Sequence, residues 1–153
     1  MKIYWDTSAI VHVSHDPKKR HWLNRDQNYT RPHALAELFS TLTSGRYRIR
    51  YSPDAAVRGM DEWLAHFIFV DLDKQDTLRA LKSAGGLNVH GGHVHDFMHV
   101  TAANKVCADR LLTINMDDFV GLTKSAVNPA LLENLPGQPG AGDAVQGNEA
   151  PQG

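Results

Sequence analysis

Short extended runs alternate along this chain with stretches whose apolar residues recur at helical spacing. That alternation restricts what the chain can fold into. Ile3 to Trp5, Phe67 to Val70 and Arg110 to Ile114 read as strands, and residues 30–32 as a shorter extended piece. Between them lie helical stretches: Asp6 to about Ser14, a piece starting at Asp16-Pro17, His33 to Ser44, Pro53 to about His66, Lys74 to Ala84, and His93 or Val94 to Ala108. Within His33 to Ser44, the residues Leu35, Leu38, Phe39 and Leu42 share one stripe. Asp6, Thr7 and Asp16 are good N-caps, and Pro17 suits a first helical turn. Gly45 and the pair Gly85-Gly86 stop helices. The pattern predicts an α/β sandwich on a mainly parallel sheet.

The 153 residues suit one domain with a sizeable core. A formal net charge of −1 does not announce nucleic acid, but it leaves room for a basic face beside an acidic pocket. The single cysteine, Cys107, excludes an internal disulfide and fits a reducing compartment. Its place in an apolar helical stretch predicts a buried thiol. There is no signal-peptide pattern at the N-terminus and no apolar run near the roughly 20 residues a membrane span needs. These features predict a cytoplasmic protein with no membrane partner. Residues 136–153 are rich in Gly and Pro and hold no aromatic residue, so burial cannot offset their ordering entropy. The division is a folded domain at 1–135 and a disordered tail at 136–153.

Acidic residues fall where such a sheet would gather them. Asp6 ends the first strand and is followed by Thr7 and Ser8. The segment from Thr113 to Asp118 ends the last strand and carries Asn115, Asp117 and Asp118. Glu37 and Asp96 lie early in two helices. In a parallel sheet, strand C-termini and the following helix N-termini share one edge. Hard divalent cations prefer carboxylate, amide and water oxygens. Taken singly, Asp6 and the Asp117-Asp118 pair read as helix caps, Glu37 as the edge of an amphipathic face and Asp96 as a dipole partner. Their shared edge favours a cation site.

Four pieces together carry a family resemblance: Ile3 to Ala9, Ala36-Glu37-Leu38, Gly91 to Ala103, and Ala108 to Phe119. Over roughly Met1 to Phe119 the chain resembles the PIN-domain ribonucleases, and among them the VapC-like toxins of toxin–antitoxin pairs. The resemblance implies a three-layer α/β/α fold and hydrolysis of RNA phosphodiesters dependent on Mg²⁺ or Mn²⁺. It also implies a cognate antitoxin and a homodimer. Asp6, Glu37 and Asp96 match the first three acids of that pattern. Asn115 stands at the fourth position, where Asp or Asn occurs, with Asp117 and Asp118 just beyond.

The corresponding mechanism assigns the ion to Asp6 and Asp96, with Asn115 or Asp117 completing its shell. Glu37 orients or deprotonates the attacking water. Thr7, Ser8 and Thr113 hold the carboxylates or the phosphate. The window from His90 to His99 carries His90, His93, His95 and His99, read as surface or substrate-facing residues; transition-metal binding is the competing role. His95, beside Asp96, is the candidate contact to RNA. Arg46, Arg48 and Arg50 would share one face of an extended segment, and with Lys18, Lys19, Arg20 and Arg25 could track an RNA backbone. Trp5 is expected in the core, and Trp22, Trp63 and Phe67 in the core or at a partner surface. Two other functions fit the same residues: a non-catalytic RNA- or protein-binding PIN domain, and a nuclease acting in RNA maturation.

Overall fold

A computed structural model describes residues 1–24, 27–46, 49–122 and 128–131. Five strands form one parallel sheet: β1 (Lys2–Trp5), β2 (Gln27–Thr30), β3 (Phe67–Phe69), β4 (Arg110–Thr113) and β5 (Asn128–Leu131), in the order β3-β2-β1-β4-β5. Five α-helices cover it: α1 (Thr7–His15), α2 (His33–Thr43), α3 (Pro53–Leu64), α4 (Lys74–Ala84) and α5 (Val94–Lys105). The expected three-layer α/β/α fold is the one formed.

The layers follow from strand alternation. Ile3, Trp5 and Leu112 face a core shared with α1, α2 and α3 through Val11, Leu38 and Met60. Tyr4 and Leu111 point the other way, onto α4 and α5 through Ala80, Phe97 and Val100. The central strands are therefore apolar throughout, as a doubly covered sheet requires. Strand order turns back beside β1: β2 lies on one side and β4 on the other. The crevice between the C-terminal ends of β1 and β4 is the place where open α/β sheets take ligands.

Several local expectations shift. Of the extended piece expected at residues 30–32, only Thr30 is strand, and Pro32 already turns into α2; Thr30 ends β2, which begins three residues earlier. The polar Asn28 hid it, because its amide is consumed inside: Trp5 Nε1 donates to Asn28 Oδ1 at 2.9 Å, and Asn28 Nδ2 donates to the Leu23 carbonyl at 2.7 Å. The piece after Asp16 is a 3-10 helix, Pro17–Asn24. β5 was not foreseen; its Asn-Pro start fits an edge strand. Trp5 and Trp22 are buried, and Phe67 joins the same core.

Cys107 is exposed, not buried. α5 ends before it, and Cys107 takes a left-handed conformation at φ 52°. Its N–H donates to the Asn104 carbonyl, and that of Ala108 to the Ala103 carbonyl. This is the Schellman pattern, which turns the first residue past the cap outward. Residues 136–153, with Arg25, Tyr47 and Arg48, lie outside the described residues. Among those described, no helix is long and apolar enough to cross a membrane.

Replacing Asn28 with Ala leaves the Trp5 Nε1 donor and the Leu23 carbonyl without their buried partner. The expected loss is about 2–4 kcal/mol, from the desolvation of two unpaired groups. Urea unfolding of the parent and the Asn28→Ala protein measures it.

Candidate active site

The cap of α1 is the centre of the site. Asp6 leaves β1 with its N–H still bonded to the Leu112 carbonyl, so its position is fixed by β4. Its Oδ1 accepts from the Ala9 N–H at 2.8 Å, the N-cap bond. Ser8 Oγ lies 2.7 and 2.8 Å from the two carboxylate oxygens, and Thr113 Oγ1 donates to Oδ2 at 2.8 Å. Asp6 as a whole is only 5% exposed. Burial raises its pKa above the usual range, against the lowering effects of His99 and these hydrogen bonds.

Asp96, in the first turn of α5, is half-buried and faces the same space. Its pKa is raised too, first by burial and then by the like charge of Asp118, while His99 and His93 oppose the rise. Glu37, on α2, goes the other way. Burial pushes it up, but His99, the Thr7 hydroxyl and Arg31 together bring it down to about 2. Thr7 Oγ1 donates to Oε2 at 2.9 Å. Arg31 and the His33 Nε2 stand 3.5 and 3.4 Å from Oε1.

His99 explains how the two layers meet. It is 2% exposed, with Nδ1 2.9 Å from the Tyr4 hydroxyl and Nε2 3.6 Å from Glu37 Oε2. The second distance is too long for a hydrogen bond. Burial holds the Tyr4 phenol protonated, far above its usual range. An imidazole expected among surface or substrate-facing histidines is thus a core link from β1 to α2.

Asp6, Glu37, Asp96 and Asn115 all line one cavity of about 700 Å³. Thr7, Ser8, His95 and Asp118 line it as well; Asp117 does not. The Asn115 side-chain amide donates to Asp118 Oδ2, and its backbone N–H donates to Thr113 Oγ1 at 2.9 Å. Of the adjacent pair Asp117 and Asp118, it is Asp118 that faces the other acids. Arg46 reaches the cavity, while Arg50 Nε donates to the Thr43 carbonyl at the end of α2. Lys19 is engaged with His12 and Asp16, and Arg20 lies over the Trp63 ring. Of the described basic residues proposed as a track, only Arg46 faces the acids.

Of the four clustered histidines, His95 lines the cavity as an exposed residue and the buried His99 reaches its wall. His93 contacts the Asp118 carbonyl oxygen and His90 that of Asn88. Sequence reasoning missed His33 and Arg31. The signal for His33 was its spacing of four from Glu37 on one helix face.

The donor set fits a hard cation. An ionised carboxylate offers about four lone-pair directions, and Asp6 meets three donors, Ala9, Ser8 and Thr113, with the Ser8 hydroxyl shared between its two oxygens. Asp96 and Asp118 add carboxylates, and Asn115, whose side-chain nitrogen donates to Asp118, adds a neutral amide oxygen on the same wall.

The chain is similar to a chain in the crystal structure of VapBC2 from Rickettsia felis bound to a DNA fragment from their promoter. The TM-score is 0.64 and the sequence identity 15%, over 85% of this chain and 99% of that one. At that identity the likeness is one of fold, and it agrees with the PIN-like architecture described above. No protein-family model matches the chain, and no curated protein matches it significantly.

These shifts predict how stability depends on pH. Asp6 and Asp96 bind protons more tightly folded than unfolded, so the ion-free protein loses stability as pH rises from their ordinary value of 3.8 through the folded values. The contribution of Glu37 is present above its ordinary 4.5 and is lost as pH falls towards about 2. Urea midpoints of the protein in EDTA should therefore be highest in weak acid and fall towards neutrality. Asp6→Asn should flatten the fall, and Mg²⁺ should reverse it in the parent only.

Proposed function

We propose that this protein is an endoribonuclease dependent on Mg²⁺ or Mn²⁺, and the toxin of a toxin–antitoxin pair. One observation carries the reading: Asp6, Glu37, Asp96 and Asn115 line a single cavity at the switch point of a parallel sheet, with two carboxylates whose charge is costly there. Like charges held together against their own repulsion suit a site completed by a cation.

In this reading Asp6 and Asp96 hold the ion, with Asn115 and Asp118 completing its surroundings. A divalent ion so held supplies Lewis acidity to a phosphate oxygen and lowers the pKa of an attacking water. Ser8 and Thr113 fix the Asp6 carboxylate at the cavity wall. Glu37 stays ionised to low pH and is a weak base, so its part is to orient the water. Arg46 meets the phosphate backbone and His95 the RNA beside the scissile bond. Water adds to phosphorus, the bond to the 3′ oxygen breaks, and the ends are 5′-phosphate and 3′-hydroxyl.

The partner is an antitoxin whose peptide covers the acidic cavity. The similar fold within a two-component VapBC2 complex on promoter DNA supports that choice. The protein works in the cytoplasm and as a homodimer; exposed Ile49, Val57 and Ile68 offer apolar surface for the second copy.

The test is cleavage of a mixed RNA pool by the full chain in Mg²⁺, Mn²⁺ or EDTA. Cleavage is expected with either ion and not with EDTA. Asp6→Ala and Asp96→Ala should each lower the rate by at least about 100-fold, the lower range for loss of a group stabilising transition-state charge. Equal rates in parent and variants would overturn the assignment. No cleavage by the folded parent under either ion would favour a binding module instead.

A further inference from the structure

His33, Glu37 and His95 form a group on the wall of the cavity that Asp6 and Asp96 also line. Each offers one ligand atom, and the three atoms lie within 4.8 Å of one another. Two elements supply them: His33 and Glu37 share a face of α2 four residues apart, and His95 comes across the cavity from α5. The His33 and His95 rings stack, with centroids 5.3 Å apart and planes 7° from parallel. Glu37 is already oriented. Thr7 secures Oε2 at 2.9 Å, and Oε1 faces His33 Nε2 at 3.4 Å. All three residues line the cavity, so a fourth position opens onto it.

We propose that His33, Glu37 and His95 bind a borderline transition-metal ion of the Zn²⁺ class, at a second site distinct from the hard-cation site. Two imidazole nitrogens and one carboxylate oxygen with an open position form a donor set that Zn²⁺ accepts. Metal–ligand bonds of about 2.0–2.1 Å place tetrahedral donors about 3.3 Å apart. The His33–Glu37 pair already meets that spacing. The two rings must turn out of their parallel stack so that their in-plane lone pairs converge, and both side chains are exposed. Arg31, 3.5 Å from Oε1, disfavours a purely electrostatic ion there. The imidazoles shift the preference to an ion that bonds to nitrogen.

Occupancy takes up Glu37, so Zn²⁺ should slow Mg²⁺-supported cleavage. That consequence rests on the ribonuclease reading; the binding does not. The experiment is Zn²⁺ titration calorimetry on the full chain with excess Mg²⁺ present. One Zn²⁺ per chain is expected. His33→Ala and His95→Ala should each weaken binding by more than about tenfold, at least what loss of a supporting partner costs a metal site. Asp96→Asn should leave the affinity within about threefold. Both histidines are exposed, and melting midpoints in EDTA verify that the variants fold. Absence of Zn²⁺ binding, binding that survives both histidine replacements together, or an equal loss in Asp96→Asn would overturn the site. If RNA cleavage fails while histidine-dependent Zn²⁺ binding holds, only the ribonuclease reading falls. If cleavage holds while Zn²⁺ binding fails, only this site falls.

Discussion

The Asp6 carboxylate joins three elements that are far apart in sequence. It caps α1 through Ala9, receives Thr113 from the end of β4, and sits directly after β1. A neutral hydroxyl or amide could serve as the cap. A buried carboxylate there is the costlier choice, and its raised pKa expresses the cost. The sheet places that charge at its switch point, where β1 and β4 diverge from a shared register at Trp5 and Leu112. The rest of the cavity is arranged around it, with Asp96 and Asp118 adding charge of the same sign. In the proposed reading, such a centre gives up stability so that a cation can complete it.

A second set of contacts holds the opposite wall. Tyr4, from the β1 face covered by α4 and α5, meets His99 on α5; His99 faces Glu37 on α2, and Thr7 closes the group. The layers on the two sides of the sheet are thus tied at the edge where the cavity opens. Glu37 gains cationic and donor neighbours where Asp6 gains mainly burial. The two carboxylates are consequently pushed in opposite directions, which is how one cavity can assign different roles to similar groups.

The framework was legible because it is written in periodicity. Ile3, Trp5, Leu111 and Leu112 alternate between two buried faces, and the Leu38–Leu42 stripe of α2 reads directly as a core face. Asp6, Glu37 and Asp96 were legible because parallel topology sends strand ends and helix starts to one edge. What was not legible depends on side-chain partners. Asn28 looks unsuited to a central strand until its bonds to Trp5 and Leu23 are seen. His99 looks like its neighbours His93 and His95 until the helix phase buries it against Tyr4. Cys107 follows an apolar run, but a left-handed turn rotates it out. Asp117 and Asp118 are adjacent, and only the 3-10 turn Met116–Phe119 decides that Asp118 lines the cavity.

The central claim is that this cavity gathers its acids around a divalent ion. Mn²⁺ broadens the NMR signals of nuclei close to it, so a substoichiometric titration of the isotope-labelled chain locates it directly. Broadening should begin at Asp6, Ser8, Asp96, Thr113 and Asn115, and should vanish from these residues in the Asp6→Asn protein. Broadening that begins instead at outlying acids such as Asp54, Asp61 and Asp73, with the cavity residues unaffected, would contradict the account.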